Sequence, residues 1–135
     1  MNSKIRILVV DDEPPILEVL KRYLIRCGYT VLTAVNVAEA VEILTSESLE
    51  IVLSDITFPD KDGYFLLNHI KTSYPDIAVI MMTGHTEYHT VKESLRQGAD
   101  EYIPKPIDFE ELSTVIDKIT WSYVSRWQDA PGPAV

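Results

Sequence analysis

The sequence predicts an α/β fold: a doubly wound parallel sheet of five strands with five helices packed on it. Three observations predict it. Short, largely apolar runs recur at residues 7–10, 51–54, 79–82 and 102–104, and unbroken runs of this kind mark strands buried on both faces. Between them lie stretches with apolar residues at helical spacing, most of them closed by glycine or proline. Strands and helices alternate along the chain, the pattern of βαβ units, whose right-handed crossovers leave few topologies.

The first strand is read at 4–10. Asp11, Asp12, Glu13, Pro14 and Pro15 follow, and two prolines can open a helix but not sit inside one. The first helix carries Ile16, Leu20, Tyr23, Leu24 and Cys27 on one face and is closed by Gly28. Strand two spans 30–34. Asn36 and Glu39 form an N-cap with its capping-box partner, opening a helix that buries Val37, Ala40, Val41 and Leu44. Strand three spans 50–54. The loop 55–63 is long for a βα connection and rich in turn formers. Helix three starts near Tyr64 with Leu66, Leu67 and Ile70 inward, and Pro75 ends that segment. Strand four spans 77–82. Thr86 caps a fourth helix at 87–97, whose apolar stripe of Tyr88, Val91 and Leu95 is thin, and Gly98 closes it. Strand five spans 100–103. Asp108 and Glu111 make another capping box, opening a fifth helix that buries Phe109, Leu112, Val115, Ile116 and Ile119 and runs on to Trp127. The expected division is one domain at 1–127 and a tail or linker at 128–135. In a flavodoxin-like strand order, 2-1-3-4-5, the switch point lies between strands one and three, where Asp11, Asp12 and Asp55 flank it.

The bulk numbers narrow the function. The chain has 135 residues, enough for one domain with a real core. A net charge of −9 and a pI near 4.7 argue against a nucleic-acid-binding face and against attachment to anionic membranes. A single cysteine, Cys27, forms no internal disulfide and fits a reducing compartment, so the expected location is the cytoplasm. Met1, Asn2, Ser3 and Lys4 lead straight into a strand without a signal peptide. No apolar run approaches the length of a membrane span.

Five polar residues follow directly on strands: Asp11, Asp12, Asp55, Thr83 and Lys105. All leave the sheet at its carboxyl edge, where open α/β sheets place their ligand sites. Three carboxylates this close repel one another unless a cation sits between them. The cluster reads as a Mg²⁺ site beside an aspartate that accepts a phosphoryl group. Taken singly, Thr83 would be a loop or cap residue, Lys105 a surface lysine and Tyr102 a half-buried strand aromatic. Asp60, Lys61 and Asp62 read as solvated loop charges, His69 and His89 as surface residues, and Cys27 as a core thiol. Trp121 and Trp127 either cover the core edge or pack against a second subunit or an output module.

Four motifs recur in a fixed order: Val9-Val10-Asp11-Asp12-Glu13; Asp55-Ile56-Thr57-Phe58-Pro59 with Gly63; Met81-Met82-Thr83-Gly84; and Gly98-Ala99-Asp100 with Tyr102 and Lys105-Pro106. Over about residues 4–122 the chain resembles the receiver domain of two-component response regulators, the CheY-like superfamily. The resemblance implies that Asp55 is the phosphoacceptor, receiving phosphate from a phosphohistidine on a sensor histidine kinase or a phosphotransfer protein. It implies that Asp12, Asp55 and the backbone carbonyl of Thr57 bind Mg²⁺ directly, and that Asp11 holds the metal through water. Lys105 would pair with Asp55 and then with a phosphoryl oxygen. Thr83 would hydrogen-bond the phosphoryl group, and Tyr102 would be the switch aromatic. The Lys105-Pro106 peptide is expected to be cis. The implied role is a signalling switch that catalyses only its own phosphorylation and dephosphorylation. Its response would pass through the face of the fourth helix, fifth strand and fifth helix to an output domain or a homodimer.

Two departures stand out: Phe58 where the family often has methionine, and Thr57 and His85 at positions that tune phosphoryl loss. Three rival readings fit parts of the pattern. A haloacid-dehalogenase-type phosphatase places its nucleophile after the first strand and carries a cap domain. A flavodoxin-like nucleotide or flavin binder needs a phosphate loop where Asp11-Asp12-Glu13 would repel phosphate. The third is a receiver-fold interaction module that works without phosphorylation.

Overall fold

The apolar runs pair as strands of one parallel sheet: β1 Arg6–Val10, β2 Thr30–Ala34, β3 Ile51–Asp55, β4 Ala78–Thr83 and β5 Glu101–Pro104. Their order is β2-β1-β3-β4-β5, as expected. The computed structural model describes residues 5–84 and 97–129. Among them are four helices: α1 Pro14–Arg26, α2 Val37–Ser46, α3 Gly63–Ser73 and α4 Phe109–Asp129. The helix expected at 87–97, apart from Gln97, lies outside the described residues, as do Thr86, His85 and His89.

Why the strands read as continuous apolar runs is plain from the packing. Side chains alternate faces along a strand. Ile7, Val9, Ile51, Leu53, Ile80, Met82 and Ile103 join one buried cluster, against Leu17, Leu20 and Leu24 of α1 and Leu112, Ile116 and Ile119 of α4. Leu8, Val10, Val52, Val79 and Met81 join the other, against Val37, Ala40 and Leu44 of α2 and Leu66, Leu67 and Ile70 of α3. Both faces of the three central strands are covered, so both parities of position there are almost wholly apolar, with Ser54 the buried polar exception within β3.

β3, β4 and β5 each sit one residue later than expected and end on Asp55, Thr83 and Pro104. The apolar run stops earlier, but the backbone ladder continues: Asp55 pairs with Met82, and Thr83 with Pro104.

The helix ends correct several readings. Gly28 follows α1 with φ 101°, the left-handed geometry expected of a closing glycine. Asn36 caps α2 by accepting from Glu39 N at 2.8 Å, while the Glu39 carboxylate accepts from Val35 N, one residue before the position a capping box uses. α3 begins at Gly63, and Asp62 is its N-cap, accepting from Phe65 N at 3.0 Å. Asp60 accepts from Val37 N and Ala38 N at the start of α2. Asp60 and Asp62 are therefore helix-capping acceptors and not free loop charges. Asp108 caps α4 through Glu110 N and Glu111 N, and α4 runs two residues past Trp127 to Asp129.

The two tryptophans part company. Trp127 closes the core edge, with its indole N–H on Asp76 O at 2.9 Å and its ring against Tyr123. Trp121 is 83% exposed. His69 is half-buried, not on the open surface, because its ring packs between Phe65 one turn earlier and Tyr74 just past the end of α3. Cys27 is half-buried at the margin of the α1–α4 cluster.

Candidate functional site

Four strand ends deliver the expected residues to one edge. Asp11 follows β1, Asp55 ends β3, Thr83 ends β4 and Lys105 follows β5. Backbone bonds extend the ladder to hold two of them: Asp11 N donates to Ala34 O at 3.1 Å, and Lys105 N to Thr83 O at 2.7 Å. Lys105-Pro106 is cis, as the resemblance implies.

Lys105 joins the carboxylates. Its Nζ lies 3.0 Å from Asp11 Oδ2 and 3.0 Å from Asp55 Oδ2. A pairing with Asp55 alone was expected. Asp11 needs the second contact because its side chain is 0% exposed, and a buried carboxylate must be paired or neutralised. The remaining oxygens are also engaged: Asp11 Oδ1 accepts from Glu13 N at 2.9 Å and Asp55 Oδ1 from Ile56 N at 2.8 Å. Burial pushes the Asp11 carboxyl above its ordinary range, and the Glu13 N–H and the Lys105 ammonium pull it only part of the way back. For Lys105, burial works to lower the pKa, but the hydrogen bonds to Asp11 and Asp55 prevail and raise it.

Asp12 is exposed beside this pair. Asp11, Asp12 and Asp55 each offer an oxygen within 4.8 Å of the others. When all three are ionised they outnumber the single ammonium by two charges. A small cluster of hard oxygens with that excess suits a divalent cation such as Mg²⁺. Thr83 is buried at the end of β4. Tyr102 is half-buried and pairs in register with Met81. Thr57 sits in the loop after β3 with its side chain exposed and forms a bridge with Asp62.

That loop shows what the sequence reading passed over. Gly63 N donates to Ile56 O. A Cβ at Gly63 would collide with Asp55 O and come within 2.7 Å of Ile56 Cα. Asp62, just ahead of a helical pattern, carries a recognisable N-cap signal. Asp60 carries none, because its partners lie 22 and 23 residues away.

Lys105→Met tests the charge balance. In metal-free buffer at pH 7 it is expected to lower unfolding free energy by about 3 kcal/mol, the low end for stripping one partner from a buried pair. Asp11 is already raised in the folded state, so the folded form takes up its proton at a higher pH than the unfolded chain. Acidification through that window favours folding, and more so once Lys105 is gone. The deficit against wild type should therefore shrink between pH 7 and pH 5 in urea titrations. An equal deficit at both pH values would contradict this account.

Comparisons with known proteins agree with this geometry. Residues 7–117 match the family described as the response regulator receiver domain. The chain is 38% identical over 120 residues to the DNA-binding transcriptional regulator NtrC of Escherichia coli (strain K12), covering 89% of this chain and 26% of that protein. It is 39% identical over 124 residues to the two-component response regulator ARR11 of Arabidopsis thaliana, covering 90% and 23%. The chain thus spans about a quarter of the length of these relatives. A receiver domain protein from Clostridium thermocellum superposes with a TM-score of 0.80 at 36% identity, covering 85% of this chain and 93% of that one. The response regulator TrrA of Thermotoga maritima, in complex with Mg(2+)-BeF, gives 0.77 at 36% identity, covering 85% and 98%. With the sheet order, the acidic edge and these matches in agreement, the chain belongs to the response regulator receiver domain family.

Proposed function

We propose that this domain is a phosphorylation-activated switch of two-component signal transduction, with Asp55 as the phosphoacceptor. The observation that carries the reading is the Lys105 ammonium, bridging buried Asp11 and half-buried Asp55 at the sheet's carboxyl edge. An Asp55 oxygen attacks the phosphorus of a phosphohistidine on a sensor histidine kinase or phosphotransfer protein. A P–O bond forms, the P–N bond breaks, and the imidazole leaves with its electron pair. Such transfers pass through a loose transition state with charge on the equatorial oxygens, so positioning and positive charge do most of the catalysis. Held by Asp12, Asp55 and the Thr57 carbonyl, with Asp11 acting through water, Mg²⁺ would supply charge to those oxygens. Lys105 keeps its bond to Asp11 and exchanges Asp55 for a phosphoryl oxygen. The Thr83 hydroxyl donates a neutral hydrogen bond.

The response follows from the same contacts. Thr83 moves toward the phosphoryl group and Tyr102 turns inward into the space it leaves. The surface of the segment 87–97, β5 and α4 then changes shape and is read by an output domain or a second copy. The phosphoryl group shifts a pre-existing equilibrium by its differential contacts. The domain boundary expected at 127 moves to the end of α4 at Asp129, and the rest of the expected 128–135 tail or linker lies outside the described residues. It carries out only its own phosphorylation and dephosphorylation, and a phosphodonor of this kind implies a cytoplasmic location. The acidic surface disfavours direct nucleic-acid or membrane binding, and no described helix is long and apolar enough to cross a membrane.

Intact mass after incubation with acetyl phosphate and Mg²⁺ tests the reading. Wild type should gain one phosphoryl group, and EDTA should prevent the gain. If no adduct forms and a beryllium fluoride titration gives no Mg²⁺-dependent NMR shifts, the switch reading fails.

A further inference from the structure

We propose that Asp60 is a positioning residue for Mg²⁺: by docking on the start of α2, it holds the loop that presents the Thr57 carbonyl. The inference rests on the metal role proposed for that carbonyl. The loop after β3 is tied at its base, where Gly63 N bonds Ile56 O and Thr57 bridges to Asp62. Asp60 lies at the tip between those two bridged positions. Its Oδ1 accepts from Val37 N at 3.3 Å and its Oδ2 from Ala38 N at 3.1 Å.

These are the first two N–H groups of α2, and they have no partner within their own helix. The local cap Asn36 serves only the third, Glu39 N. A residue 22 positions away thus completes the first turn of α2, and the positive end of the helix favours its negative charge. The contact works in both directions. α2 gains acceptors, and the loop gains a fixed point on a helix packed into the core through Val37, Ala40 and Leu44. With base and tip both tied, the Thr57 peptide between them has little freedom to turn its carbonyl away. Without Asp60, the base and the buried Phe58 side chain still hold the loop, but its tip is released.

The test is an NMR titration of the intact chain with MgCl₂, for wild type, Asp60→Ala and Asn36→Ala. Both variants remove acceptors from the same helix turn and should lower the melting temperature. Only Asp60→Ala also frees the loop. It should weaken Mg²⁺ binding about tenfold, the low end for loss of a group that orients a metal ligand, while Asn36→Ala stays within twofold of wild type. Phosphorylation by acetyl phosphate should slow in Asp60→Ala at limiting Mg²⁺ and recover at saturating Mg²⁺. The proposal is overturned if Asp60→Ala binds Mg²⁺ as wild type does, or if both variants weaken it equally, which would trace the effect to α2 alone. A wild type that binds no Mg²⁺ would overturn the switch reading itself and this inference with it, an outcome separable from the other two.

Discussion

Asp55→Asn is expected to take up no phosphoryl group under conditions that load the wild type, while remaining folded. The amide is isosteric with the carboxylate, and its oxygen can still accept from Ile56 N, the bond Asp55 Oδ1 makes at 2.8 Å. What disappears is the anionic oxygen proposed to form the P–O bond. No neighbour replaces it readily. Asp11 is fully buried and bound on both oxygens, and Asp12 has no lysine contact among the described residues. Stability should change by no more than about 1 kcal/mol. Lys105 keeps its ion pair with Asp11, and the loss of its second carboxylate partner is offset by relief of repulsion among three carboxylates whose oxygens lie within 4.8 Å. Intact mass and a thermal melt on the same sample check both halves. An adduct that survives the substitution would move the acceptor to another carboxylate.

Gly63→Ala should be the most damaging single methyl group that can be added near the site. The atoms a Cβ would meet are Asp55 O, Ile56 Cα at 2.7 Å and Ile56 O at 2.8 Å. All three belong to the backbone, so no side chain can swing aside. Either α3 retreats from the end of β3 or the acceptor peptide is pushed out of line. We expect a loss of more than about 4 kcal/mol, in the range reserved for named structural faults, and a melting temperature lower by roughly 15 °C. Gly98→Ala is the matched control. There, among the described residues, the new methyl meets only Lys71 Cγ at 3.7 Å, and the backbone φ of 104° sets the penalty, on the order of 1–2 kcal/mol. If the two variants melt together, the close approach of α3 to Asp55 is not rigid.

The contrast between Gly63 and Asp60 shows what was legible in the sequence. The strands, their two-sided burial and the acidic edge were readable because each rests on a local pattern: apolar runs that break on Asp11, Asp55 or Thr83. The strand order has no local signal and came from the flavodoxin-like expectation. Gly63 was visible as part of a motif, but the reason for it, contact with a strand end, is tertiary. Asp60 reads as a loop charge because its partners come from another helix. Strand ends were misplaced by one residue because a hydrogen-bond ladder is indifferent to whether Asp55 or Thr83 is polar. The double pairing of Lys105 follows from the burial of Asp11, and an aspartate three positions before Pro14 gives no warning of full burial. Trp121 and Trp127 are alike in sequence and differ only in where six residues of helix carry them.

The sheet that separates the two buried clusters has a consequence for how a signal leaves this domain. β3 sends Ile51 and Leu53 to one side and Val52 to the other, so neither of its faces can loosen without disturbing a packed interior. The reacting carboxylate thus stands on a fixed post, flanked by β1 and β4. A charge deposited there does little work on its own support. On the proposed reading, the free energy would be released beside that post, at the ends of β4 and β5 where Thr83, Lys105 and Tyr102 stand. The anchor stays still so that the rim can move.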